Sequence, residues 1–158
     1  MSSRFEPDRG LKIDDAALDF LRRGRVGHLA TADSEGRPSV VPICYVFDGH
    51  WLYSAIDQKP KSVPVVRLKR LRNLEENPRV SFVVDEYSDD WNKLAYVQVN
   101  GIATILLPDG DSGAEHSAAI GMLRRKYDQY RDMAIETTPI IKISPIGIRM
   151  WRFKTLAT

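Results

Sequence analysis

The sequence predicts a mainly β chain, a barrel of antiparallel strands with helices inserted between them. Short runs of alternating character follow one another at hairpin spacing through the first half. Only three stretches show helical spacing, and strands and helices do not alternate as a doubly wound parallel sheet requires. At 158 residues the whole chain, 1–158, reads as one domain able to bury its own core.

The elements follow in order. Asp14 or Asp15 is placed to cap a short helix carrying Leu18 and Leu21 on one face, and Gly24 to end it. From Arg25 the period changes: His28 to Thr31 reads as a strand, Ser34-Glu35-Gly36 as a turn, and Pro38 to Phe47 as a second strand. Pro42 inside that strand points to an edge, a bulge or a corner, because proline cannot donate to a ladder. Asp48-Gly49 is a hairpin signal before a third strand over His50 to Ile56.

After a polar loop, Leu68, Leu71 and Leu74 mark a helix from Val65 that Asn77-Pro78 stops. Val80 to Val84 is a fourth strand, Asp85 to Asn92 an acidic loop holding Trp91, and Leu94 to Leu107 a long strand bent at Gly101. Ser112 and Glu115 have the spacing of a capping box, opening a helix whose stripe is Ile120, Leu123, Tyr127 and Tyr130. Ile140 to Phe153 reads as strand broken at Pro145-Ile146-Gly147, giving about six strands and three helices.

Composition narrows the function classes. Hydrophobic residues at 43% and charged residues at 28% are ordinary for a globular protein. No apolar run approaches the roughly 20 residues of a membrane-spanning helix, and the N-terminus lacks the apolar core of a secretory signal. The single cysteine, Cys44, excludes an internal disulfide and fits a cytoplasmic protein. Isolated His28, His50 and His116 offer no metal-ligand spacing. Gly110-Asp111-Ser112-Gly113 echoes a serine-protease segment, but the capping box explains the same letters.

One stretch carries a ligand signal. Lys59, Lys61, Arg67, Lys69, Arg70 and Arg72 fall in 14 residues, with no acidic residue between Asp57 and Glu75. Straddling a loop-to-helix junction, they suit a multiply charged anion or, more simply, form a solvated helix face. Nucleic acid is disfavoured: aromatics are not interleaved and the net charge is only +2.

The order of His28-Leu29-Ala30-Thr31, a turn, Pro38 to Pro42, the hairpin Gly49 to Tyr53, the basic loop, Leu74-Glu75-Glu76-Asn77-Pro78-Arg79-Val80 and the bent strand Val97 to Ala103 resembles the FMN-binding split barrel, or pyridoxamine 5'-phosphate oxidase-like, family. Lys59-Pro60-Lys61, Leu68 to Leu74 and Asp90-Trp91 resemble its F-420-dependent oxidoreductase subgroup. The resemblance implies a split β-barrel, a homodimer with its site at the subunit interface, and hydride transfer between a deazaflavin, coenzyme F-420, and an unsaturated or quinone-like molecule. The alternatives are an FMN-dependent oxidase or reductase of the same fold and a non-catalytic flavin- or F-420-binding protein. It further implies that Val41, Pro42, Ile43 and Cys44, with Tyr53, Ser54, Ala55 and Ile56, border the ring. Lys59 and Lys61 would hold the phosphate; Arg67, Lys69 and Arg72 the carboxylate tail; Trp91 or Trp151 would reach across the interface. Six cations exceed what one phosphate needs, which favours F-420 over FMN. The C-terminal Ile148 to Phe153 only loosely echoes the oxidases' substrate residues. No catalytic residue is selected, since the cofactor carries the redox chemistry; Tyr45, Tyr53 or a bound water could deliver a proton, and the sequence selects none of them.

Overall fold

Asp14 accepts a hydrogen bond from the Ala16 N–H and opens helix α1 (Asp15–Arg23), and Gly24 closes it, as its spacing predicted. The computed structural model describes residues 13–56 and 68–154. The remaining elements are β1 (Gly27–Ala32), β2 (Pro38–Ile43), β3 (Val46–Phe47), β4 (Leu52–Ala55), α2 (Lys69–Glu76), β5 (Arg79–Glu86), β6 (Ala95–Leu106), α3 (Gly113–Lys126) and β7 (Ile140–Arg152). Single 3-10 turns cover Trp91–Lys93, Asp128–Arg131 and Ile135–Thr137.

The strands form one seven-stranded sheet in the order β2-β1-β5-β6-β7-β4-β3, and every pairing is antiparallel. Its two edge strands, β2 and β3, are consecutive in the chain and separated only by Cys44 and Tyr45. A sheet whose ends are joined by two residues must curl, so its edges meet along a seam. Pro42 sits on one of these edges, where its missing N–H costs no ladder bond. The expected second strand is therefore two strands with a corner between them. The Asp48-Gly49 hairpin forms as expected: Asp48 Oδ1 accepts from the His50 and Trp51 N–H groups at 2.8 Å, and Gly49 has φ +107°.

Inside the curl, α1 contributes Phe20 and Leu21 to a core with Leu29, Phe82, Val97, Val99, Ile141 and Ile143. A second core lies on the other side of β4, where Tyr53, Ala55 and Ile140 meet Ile120, Leu123 and Tyr130. β4 is thus covered on both faces, which explains why all four of its residues are buried. Helix α2 packs Leu71 and Leu74 into the first core, and its buried Asn73 Nδ2 donates to Thr31 Oγ1 at 3.0 Å.

Two expectations are corrected. The capping box at Ser112 does not form: Ser112 Oγ bonds the backbone of Leu107, and Glu115 turns inward to Tyr53 and Lys142. β7 is not broken at Pro145 to Gly147. It continues through a bulge in which Asn100 faces Gly147 and Gly101 faces Pro145, leaving Ile146 as the extra residue.

Candidate functional site

The seam between β2 and β3 is held by hydroxyls. The Tyr127 hydroxyl accepts from the Tyr45 N–H at 3.0 Å and lies 2.7 Å from the Tyr45 and Arg25 carbonyl oxygens. Ser54 Oγ donates to the Cys44 carbonyl at 2.7 Å, tying β4 to the same junction. Tyr45 donates its own hydroxyl to the Leu21 carbonyl at 2.7 Å. Together these pin the corner that the run Val41 to Cys44 leads into.

Of the expected ring-bordering residues, Val41 and Cys44 are half-buried, Pro42 is exposed and Ile43 is buried. Tyr53, Ser54, Ala55 and Ile56 are buried, so their side chains pack within the protein's own cores. Tyr53 is also committed electrostatically: its hydroxyl donates to Glu115 Oε1 at 2.8 Å, and Lys142 Nζ lies 2.5 Å from the same oxygen. Burial, reinforced by the Glu115 carboxylate, pushes the Tyr53 hydroxyl far above the usual phenol range. Although burial opposes it, the bonds from Lys142 and Tyr53 hold Glu115 below the usual carboxylate range. Tyr53 is accordingly a poor proton donor at neutral pH.

Lys69 and Arg72 project from the exposed side of α2, opposite Leu71 and Leu74, and neither forms an ion pair among the described residues. Lys59, Lys61 and Arg67 lie outside the described residues.

On the outer face of the sheet, β6 turns Tyr96, Gln98 and Asn100 away from the core while Val97 and Val99 point in. Across from them lie Trp151, Arg149 and Gly147 on β7, and Asp85, Val83 and Ser81 on β5. Trp151 stacks on Tyr96 with ring centroids 5.5 Å apart, and Gln98 Nε2 donates to Ser81 Oγ at 3.3 Å. A polar notch of about 180 Å³ opens there between Gln98, Asn100 and Arg149. At the end of this face Tyr87 is 74% exposed and Trp91 60% exposed, Trp91 meeting the Phe153 ring edge-on at 6.4 Å.

A larger cavity, about 380 Å³, lies at the start of β1 between Arg25, Cys44 and the Tyr127–Met133 segment. Sequence reading missed it apart from Cys44, Tyr127 and Tyr130. Its walls come from three separated stretches, and only the basic charge of Arg25 next to an apolar Val26 hinted at a mouth. Among the described residues no group of three or more potential metal ligands is brought together, and no helix is long and apolar enough to cross a membrane.

Comparison with known proteins matches this architecture. The pyridoxamine 5'-phosphate oxidase family profile matches residues 13–152. Among solved structures, an FAD-binding protein from Mesorhizobium loti is 25% identical, with 87% of this chain and 94% of that chain covered and a TM-score of 0.66. An F420 reductase is 23% identical at TM-score 0.62, covering 87% and 98%. HutZ, a heme storage protein from Vibrio cholerae, is 17% identical at TM-score 0.64, covering 90% and 95%.

Proposed function

Because the chain belongs to the pyridoxamine 5'-phosphate oxidase family, with its flavin-binding type of fold, we propose that it is a coenzyme F-420-dependent oxidoreductase working as a homodimer. The observation that carries the choice of cofactor is the uncommitted pair Lys69 and Arg72, exposed at the end of a basic stretch that begins at Lys59. Two exposed cations without an ion pair among the described residues are suited to phosphate and carboxylates. F-420 presents both, whereas FMN presents one phosphate. The F420 reductase among the similar structures supports the same reading; the FAD-binding one is why FMN is tested beside it.

The remaining residues fit a heterocycle. As a sheet edge, β2 has one side of its backbone without a strand partner among the described residues, able to bond the polar rim of a ring. At the end of β4, Tyr53 to Ile56 contribute a rigid backbone floor, since their side chains are locked in the cores. Lys59 and Lys61 hold the phosphate, and Arg67, Lys69 and Arg72 the tail. The outer sheet face takes the second subunit, bringing Trp91 and Trp151 towards the site and burying aromatics that are costly to leave in water. Bound there, the cofactor supplies hydride transfer at its ring to an unsaturated or quinone-like acceptor. The chain positions, neutralises charge and excludes water.

Quenching of tryptophan fluorescence tests the cofactor. F-420 is expected to bind at least tenfold more tightly than FMN; equal or tighter FMN binding overturns the choice. Lys59→Ala and Lys61→Ala should each weaken either cofactor roughly three- to tenfold, about 1 kcal/mol for a solvent-screened contact, and reduce the salt dependence. Lys69→Ala and Arg72→Ala should weaken F-420 by a similar factor and leave FMN unchanged. Turnover of enones and quinones by the reduced cofactor separates an enzyme from a carrier. A monomer in light scattering would refute the interface.

A further inference from the structure

We propose that the cavity between the start of β1, the β2–β3 junction and the end of α3 binds a small aromatic carboxylate. Its volume of about 380 Å³ falls in the range of ligand pockets, roughly 300–1,000 Å³. Three of its walls are suited to a flat ring. Tyr127 and Tyr130 meet edge to face with centroids 5.5 Å apart, and Met133 supplies an adaptable, polarisable surface. Val26, exposed beside them, extends the apolar lining to the mouth.

The polar end is Arg25. One of its terminal nitrogens donates to the Lys126 carbonyl at 2.8 Å, and its guanidinium carbon lies 4.9 Å over the Tyr127 ring. The group is therefore held in place, yet it makes no ion pair among the described residues. Lys126 lies close by, with Nζ 2.5 Å from the Gly24 carbonyl and 4.2 Å over the Tyr45 ring, also without a carboxylate partner among the described residues. Among the described residues no acidic one lines the cavity. Arg25 at the cavity, with Lys126 nearby, creates a positive potential that an anion relieves. Burial, and after it the Arg25 charge, lowers the Lys126 ammonium to about 8. A planar guanidinium can pair bidentately with a carboxylate, and the tyrosine walls favour an aromatic body.

This site does not rest on the cofactor reading, with which it shares only Cys44. Calorimetric titration of the whole chain, with no cofactor added, compares 2-naphthoate with the neutral 2-naphthalenemethanol. The acid is expected to bind at least tenfold more tightly. Arg25→Gln should abolish that preference while changing the alcohol's affinity less than twofold. Gln129→Trp, an exposed position on the rim, should block both, with circular dichroism melts showing that each variant folds. Saturating F-420 or FMN should leave naphthoate affinity unchanged. Equal affinity for acid and alcohol, a preference that survives Arg25→Gln, binding that survives Gln129→Trp, or displacement by either cofactor overturns the proposal. The acid–alcohol comparison on the natural chain decides it even where a variant does not fold. Failure of both cofactors to bind leaves this result standing, so the two readings fail separately.

Discussion

Phe82→Ala is expected to lower the unfolding free energy by about 3–5 kcal/mol, the usual cost of emptying a fully buried aromatic site. Phe82 is 0% exposed, sits mid-sheet between Leu29 and Val99, and meets the Tyr45 ring edge-on at 4.8 Å. Its ring also lies where a side chain on Gly27 would go: a Cβ there would stand 2.0 Å from Phe82 Cζ. Gly27→Ala should therefore cost about 1–3 kcal/mol by overpacking. The double variant should cost clearly less than the sum, because the methyl fills part of the space that the ring vacates. Urea denaturation with an unchanged m-value measures all three. Additive costs would rule out direct contact, and a loss below about 1 kcal/mol for Phe82→Ala would remove Phe82 from the core.

That pair also shows what a sequence makes legible. Phe82 alternates with Ser81 and Val83, so its strand could be read; its fit against Gly27 could not, because nothing local ties residues so far apart. Several elements with their own end signals were readable. Asp14 and Gly24 bracket α1, Asp48-Gly49 turns the β3–β4 hairpin, and Asn77 ends α2. The misreadings share one cause, a distant partner overriding a local preference. The corner at Cys44-Tyr45 carries no glycine or turn residue; it is imposed by the Tyr127 hydroxyl, 82 residues away. Glu115 had the spacing to cap its own helix, but Tyr53 and Lys142 offer its carboxylate a better-buried bond. Proline and glycine in the middle of β7 looked like a break, and the bulge at Ile146 absorbs them while pairing continues.

The candidate site divides along the same line. Charge density is a local property, so the basic stretch could be found, and Lys69 and Arg72 are indeed exposed and without ion pairs among the described residues. Which side chains face a ligand is a tertiary property. The run Tyr53 to Ile56 looks like any amphipathic strand, yet a helix some sixty residues later covers its second face. The cavity at Arg25 was invisible for the converse reason: its apolar wall belongs to a stripe that reads as packing, and the charge at its mouth is a single residue.

Thermal stability should pass through a maximum near pH 10 and then fall steeply, because three structural phenols remain protonated in the folded chain. Burial raises Tyr45, Tyr53 and Tyr127 above the usual phenol value, Tyr127 to about 12 and the other two further. Unfolded tyrosine ionises near 10. Above that pH the unfolded state therefore binds fewer protons than the folded state, and stability decreases as pH rises. The contribution is intact below pH 10 and is lost progressively towards the folded values. A fully buried phenol would lose up to about 1.4 kcal/mol per pH unit; discounting for solvent screening leaves roughly 2 kcal/mol per unit for the three together. Lys126 acts with the opposite sign over a lower window. Lowered to about 8 by burial and by Arg25, it sheds its proton in the folded state before the unfolded one, so stability rises between pH 8 and about 10. Lys126→Met should flatten that rise. Tyr127→Phe should weaken the alkaline fall, and it should also cost about 1–3 kcal/mol at pH 7 by leaving the buried Tyr45 N–H without its acceptor. Melting curves followed by circular dichroism from pH 7 to 11.5 test both. A melting temperature that is flat above pH 10 would mean that the phenols ionise freely, and the hydroxyl-pinned seam would not exist in solution.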